Sequence, residues 1–244
     1  MLADMFAGLC TAARGASSPY VESAVNFFSY VLRHHDKAYG QRFQDLFALF
    51  VLSEKRDGYF VEIGACDGLD LSNTLLLEKS YGWRGIVSEA AHVWHGALTR
   101  NRSAKVDTRY VWSQTGHRLE FAEATLPELS TQLLLADRDF NAKGRVLIKR
   151  YQVETISLND LLSDHGAPAE LDYLSIDTEG SEPQILRALD FTRYRPRIIT
   201  VEHNYRSPDR EELGTLLQSW GYIRVFDMMS AWDDWYIQRS VARG

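Results

Sequence analysis

The chain has 244 residues, 45% hydrophobic and 25% charged, with a formal net charge of −6. It is long enough to bury one sizeable core plus a small appendage, as expected of a soluble enzyme. The acidic balance argues against a nucleic-acid backbone as partner, because phosphate binding relies on a positive field. No apolar run approaches the roughly 20 residues of a membrane span, and Asp4, Gly8 and Arg14 make the N-terminus a poor signal peptide. Two cysteines, Cys10 and Cys66, allow at most one bridge, which points to a reducing, cytoplasmic setting.

From about Tyr20 to Leu52 the spacings Val21-Val25-Phe28-Leu32 and Phe43-Leu46-Phe47-Phe50 predict two helices, either packed on a sheet as core or covering a substrate. Beyond Gly58, strand and helix patterns alternate: strand 59–63, helix 71–80, strand 85–89, helix 92–101, strand near 106–112. Such alternation argues for a parallel sheet covered on both faces. Segments 116–122 and 145–153 read as extra strands around a polar loop near Asp137 to Gly144, the least regular stretch and a candidate substrate-facing insertion. Arg145, Lys149 and Arg150 there read as a solvated strand edge or an anion patch. Ser157 and Asp160 stand at capping-box spacing before a helix. Strands recur at 171–176, 197–202, 222–227 and 235–239, with helices at 182–189 and 209–219.

The first strand empties into a small-residue turn, Gly64-Ala65-Cys66-Asp67-Gly68, before an apolar segment. Glycines in a strand–turn–helix junction let backbone approach a nucleotide-like ligand, since no Cβ blocks it. Glu62, two positions before Gly64, adds a carboxylate able to accept from an ammonium or hydroxyl group. Glu89 ends the second strand about twenty residues on, the spacing at which a carboxylate meets ribose hydroxyls in such folds. An NAD-dependent oxidoreductase is one reading, but Cys66 stands where the second glycine of G-x-G-x-x-G belongs.

The pattern Glu-x-Gly-x-x-x-Gly resembles motif I of S-adenosylmethionine (SAM) dependent methyltransferases. Together with Val153-Glu-Thr-Ile-Ser-Leu-Asn-Asp-Leu-Leu162, Asp177-Thr-Glu-Gly-Ser-Glu182 and Ile198-Ile-Thr-Val-Glu-His-Asn204, the chain resembles the FkbM family of these enzymes from about Tyr59 onward. Ala90, in place of the family's usual proline, changes only the exit from the second strand. The resemblance implies a Rossmann-like SAM-dependent methyltransferase fold: a mostly parallel seven-stranded sheet with helices on both faces. That domain would span 58–244, after an N-terminal helical extension over 1–57. It implies cofactor contacts from Glu62, Gly64, Ala65, Cys66, Gly68, Asn73, Thr74, Glu89, Ser113 and Asp177, although Asn73 and Thr74 also suit helix capping.

Two strand ends carry groups suited to chemistry: Asp177 with Glu179, and Glu202 with His203 and Asn204. One assignment makes His203 the general base, oriented by Asp177 or Glu179. Another has Asp177, Glu202 and His203 or Asn204 hold Mg²⁺ or Mn²⁺, since carboxylates with an amide suit a hard cation. A third leaves Asp177 on the SAM amino group and Glu202 as a paired buried acid. The expected reaction is O-methylation of a hydroxyl on a sugar, glycan or specialised metabolite, a target implied by the resemblance. The remaining alternative is a non-catalytic SAM-binding module. Acceptor and oligomeric state are not legible.

Overall fold

The computed structural model describes residues 1–14, 19–138 and 140–241; residues 15–18, 242–244 and Asp139, within the expected polar loop, lie outside them. The strands are β1 (Tyr59–Ile63), β2 (Arg84–Ser88), β3 (Lys105–Asp107), β4 (Tyr110–Trp112), β5 (Arg118–Ala124), β6 (Thr131–Gln132), β7 (Leu147–Ser157), β8 (Glu170–Ile176), β9 (Arg195–Glu202), β10 (Tyr222–Val225) and β11 (Asp233–Gln238). The helices are α1 (Leu2–Ala13), α2 (Pro19–His34), α3 (Gln44–Val51), α4 (Leu75–Tyr81), α5 (His92–Asn101), α6 (Leu158–Asp164), α7 (Glu182–Ala188), α8 (Ser207–Ser219) and α9 (Asp227–Ser230). Among the described residues no helix is long and apolar enough to cross a membrane.

The main sheet has seven strands in the order β10-β11-β9-β8-β1-β2-β3. Pairings from β9 through β3 are parallel, but β11 is antiparallel to both neighbours, so the sheet is mixed. The cause is local. Only the one-turn α9, between Phe226 and Ala231 in positive-φ conformations, separates β10 from β11, and so short a link joins antiparallel neighbours.

Side chains alternate across the sheet, which puts Phe60, Tyr173, Ile198 and Trp235 on one face and Val61, Leu174, Ile199 and Tyr236 on the other. The first face is covered by apolar residues of α1 to α5, the second by α6, α7 and α8. Phe47 of α3 stacks on Trp235 with centroids 4.7 Å apart, so the N-terminal helices share the sheet's own core. A second, four-stranded sheet, β4-β7-β5-β6, is inserted between β3 and α6.

Three elements differ from the sequence expectation. The run 106–112 splits because Asp107 accepts from the Arg109 N–H (2.9 Å), turning the chain so that β3 extends the main sheet while β4 pairs with β7. The helix expected from 71 begins at Leu75, because Glu62 holds residues 72–74 in a loop. Helix α1 was not legible, as its short apolar run lacks a side-chain cap.

Candidate active site

A cleft of about 500 Å³ opens at the carboxyl ends of β1, β2, β8 and β9, where parallel order reverses and open α/β sheets bind ligands. Its tightest point is Gly64. With φ +85°, its N–H and that of Ala65 donate to the Ser88 carbonyl (2.9 and 3.1 Å). A Cβ there would lie 1.7 Å from the Asp177 carbonyl oxygen, so glycine serves strand closure as much as ligand approach. Cys66, also left-handed at φ 47°, donates its N–H to Glu89 Oε2 (2.9 Å), and Ala91 N–H donates to Oε1 (2.7 Å). These two bonds fix Glu89 at the cleft wall and leave lone pairs for a ligand. Burial pushes its carboxyl up, and likewise the Cys66 thiol.

Glu62 lines the cleft but is already fully engaged. It accepts from Ser72 Oγ, the Asn73 N–H (2.6 Å), Thr74 Oγ1 and the buried Arg102 guanidinium (3.1 Å). Arg102 also reaches Glu78 and Thr74, and a Cβ at Gly68 would strike its side chain at 2.6 Å. Gly68 and Thr74 therefore sit behind the wall, in the support that shapes it. Asn73 does face the cleft; its amide donates to Ser175 Oγ (2.9 Å), while its Oδ1 is buried with no protein partner. Ser113 lies just past β4 and outside the lining, to which the same strand instead contributes Tyr110 and Val111.

Carboxylates converge at the other side. One oxygen from each of Asp177, Glu182 and Glu202 lies within 4.8 Å of the others. Burial, then repulsion from neighbouring carboxylates (Glu179 and Asp233 for Asp177, Asp177 and Glu179 for Glu202), holds both well above the usual carboxylate range, with a hydrogen bond from Glu202 easing Asp177 back. Like charges this close disfavour one another's ionised form. Glu182 takes the N–H groups of Thr178 (2.7 Å) and Gly180 (3.2 Å), which fold the loop after β8. Glu179, left-handed at φ 58°, meets the Arg145 guanidinium (2.8 Å) and Asn204 Nδ2 (3.4 Å), while Asn204 Nδ2 lies 2.6 Å from Glu202.

His203 is elsewhere. Its ring is buried behind the end of β9, with Nε2 3.8 Å from Asp234 and Nδ1 accepting from the Tyr205 N–H (3.1 Å). Burial lowers its pKa, so the ring stays neutral, and it does not line the cleft. Asp234 in turn is held by Arg210 and Arg224.

Several cleft residues escaped the sequence reading. Arg145, read as edge or anion patch, is buried against Glu179 and the carbonyls of Leu129 and Ala136, tying the insertion to the β8 loop. Residues 126–130 form a wall. Gln41 and Gln44, from the N-terminal segment, and Trp232 and Tyr205 also line the cleft. Glu182 looked like the acidic first turn of a helix, which it also is.

Fold and site define an α/β protein whose central cleft pairs a glycine-turn ligand wall with a buried carboxylate cluster. Residues 62–224 match the family described as Methyltransferase FkbM domain, and the chain belongs to that family: it is a SAM-dependent methyltransferase. No curated protein matches it. Among solved structures, it is similar to precorrin-6y C5,15-methyltransferase from Geobacter metallireducens GS-15, at 12% identity and TM-score 0.42, over 74% of this chain and 70% of that one. It is also similar to a chain of a fibrillarin/Nop5p complex, at 12% identity and TM-score 0.37, over 81% and 82%.

Proposed function

We propose that the protein transfers the SAM methyl group to a hydroxyl of a sugar, glycan or specialised metabolite. The observation that carries this reading is the convergence of Asp177 and Glu202, with one oxygen of each within 4.8 Å of the other, in the same cleft as Glu89 and the Gly64 turn. The residues present fit SAM. Glu89 keeps lone pairs for ribose hydroxyls, Asn73 Oδ1 is a buried acceptor without a partner, and Gly64, Ala65 and Cys66 present backbone alone at the turn. Ala90, Tyr110 and Val111 offer an apolar side for a base. When bound, SAM supplies an electrophilic methyl on a sulfonium.

What remains for the chain is alignment and a proton. Methyl transfer to oxygen is an in-line displacement, so holding acceptor and methyl in register supplies much of the acceleration. An aliphatic hydroxyl also needs its proton removed. A carboxylate whose pKa is raised by burial is a stronger base than an ordinary one, and we assign that task to Asp177 with Glu202. Glu179, neutralised by Arg145, positions Asn204 against the pair. His203 is a positioning residue, because its free lone pair is committed to Tyr205. Residues 58–244 would carry the transferase, with 1–57 lining the cleft through Gln41 and Gln44.

A second reading rests on the three convergent oxygens of Asp177, Glu182 and Glu202. A divalent cation there, with Asn204 nearby, would acidify the acceptor hydroxyl. Turnover of an acceptor panel with labelled SAM, with and without chelator, separates the two. Undiminished turnover after chelation, lost in Asp177→Asn, supports the base; loss restored by Mg²⁺ supports the cation. Turnover that survives Asp177→Asn and Glu202→Gln contradicts both.

A further inference from the structure

The cleft lining that follows β9 has a different character from the glycine turn. Beyond Glu202 the chain passes through two consecutive left-handed residues that are not glycine, Asn204 (φ 46°) and Tyr205 (φ 56°). Such backbone is costly and persists only where its surroundings enforce it. Four bonds do so here. His203 and Asn204 N–H groups donate to the Trp232 carbonyl (2.9 and 3.2 Å), Arg206 N–H to the His203 carbonyl (2.8 Å), and Tyr205 N–H to His203 Nδ1 (3.1 Å). The result turns the Asn204 amide inward onto Glu202 and leaves the Tyr205 ring 56% exposed on the cleft wall.

Trp232 lines the same cleft, with the Arg42 guanidinium 5.3 Å from its ring centroid. Arg42 is itself fixed to the Met229 carbonyl (2.7 Å), so the indole is backed by a buried cation. Next to it, Gln44 is pinned between Asp233 (2.6 Å) and the Arg42 N–H (2.7 Å), and Gln41 is exposed at the rim. Aromatic surface, amides and carboxylates thus meet in one place. Among the described residues lining the cleft, Arg109 is the one basic side chain, against Glu62, Asp70, Glu89, Glu128, Asp177, Glu179 and Glu202.

We propose that Tyr205 and Trp232 form the acceptor platform for an uncharged pyranose ring, with Gln41, Asn204 and the carboxylates reading its hydroxyls. The inference rests on the methyltransferase reading above and narrows its substrate class. A pyranose has an apolar C–H face that matches an aromatic surface and a rim of hydroxyls that pair with amides and carboxylates. A flat apolar metabolite would desolvate the exposed Gln41 amide and the cleft carboxylates without offering them hydroxyls. A phosphorylated or carboxylated sugar would meet like charge with only Arg109 to offset it.

The test uses protein saturated with S-adenosylhomocysteine and two ligand sets, neutral methyl pyranosides and sugar 6-phosphates, followed by saturation-transfer NMR titration. At least one methyl pyranoside is expected to bind at least tenfold more tightly than its 6-phosphate. That binding should weaken at least fivefold in Trp232→Leu and in Tyr205→Asn, with homocysteine-ligand affinity changed less than twofold. Asn tolerates left-handed backbone, so Tyr205→Asn removes an exposed ring without disturbing the turn, and it keeps the test valid should Trp232→Leu misfold. Binding of S-adenosylhomocysteine without any methyl pyranoside overturns the platform and leaves the methyltransferase reading standing. Equal binding of the 6-phosphates, or unchanged affinity in Tyr205→Asn, also overturns it. Failure of S-adenosylhomocysteine itself to bind overturns both.

Discussion

Glu89 and Gly64 show how differently two cleft-wall residues work. Both Glu89 oxygens are oriented by backbone N–H groups, so its remaining lone pairs are set for a diol before any ligand arrives. Hydrogen bonds to a charged group contribute about 1.5–3 kcal/mol. Glu89→Ala should therefore weaken SAM binding roughly tenfold or more. Gly64 is constrained by the protein itself, since the Asp177 carbonyl occupies the space of a Cβ. Gly64→Val is expected to lose its cooperative thermal transition along with ligand binding; a folded variant that merely fails to bind SAM would mean that ligand clearance alone fixes the glycine.

Buried carboxylates at the same scale make stability fall with pH. Burial raises Asp233 from its ordinary 3.8 to about 7, and Asp45 from 3.8 to about 6. A group raised on folding keeps its proton in the native state while the unfolded chain ionises. Its contribution is therefore complete below the unfolded pKa and is lost as pH climbs through the folded one. The thermal midpoint should fall between about pH 4 and pH 7, with a shallower fall in Asp233→Asn measured by calorimetry. A midpoint rising across that window would contradict the burial.

At the scale of elements, the inserted sheet is tied to the catalytic loop chiefly by the Arg145–Glu179 pair and by Thr131 donating to the Glu179 carbonyl (2.9 Å). Removing one partner of a buried pair strands the other charge, at a cost of about 3–5 kcal/mol. Arg145→Met should accelerate amide exchange over 126–136 well before the main sheet opens; uniform exchange throughout would mean that the insertion docks by other contacts. Sequence periodicity revealed β1, β2, β8 and β9 nearly to the residue, because each buries an uninterrupted apolar run. It could not reveal the break between β3 and β4, set by one Asp107 side chain, nor the delayed start of α4, set by Glu62 reaching ten residues ahead to Ser72. Glu62 was legible as an acidic group at the turn, but not as one consumed by Arg102 from forty residues away. His203 was visible beside Glu202, yet at the end of β9 the chain turns it to the far side, toward Asp234.

For the whole molecule, the two faces of one mixed sheet are packed by different helices, and the cleft lies where its strand order reverses. Family membership gives the chemistry, and the proposal adds Asp177 with Glu202 as proton acceptor and Tyr205 with Trp232 as the place for the substrate. Calorimetric titration of SAM tests this arrangement most directly, in the unmodified protein, in Glu89→Ala and in the double variant Asp177→Asn/Glu202→Gln. The account predicts saturable binding to the unmodified protein, at least a tenfold loss in Glu89→Ala, and little loss in the folded double variant, whose acids serve the acceptor. No SAM binding by the unmodified protein, or affinity untouched by Glu89→Ala, would contradict it.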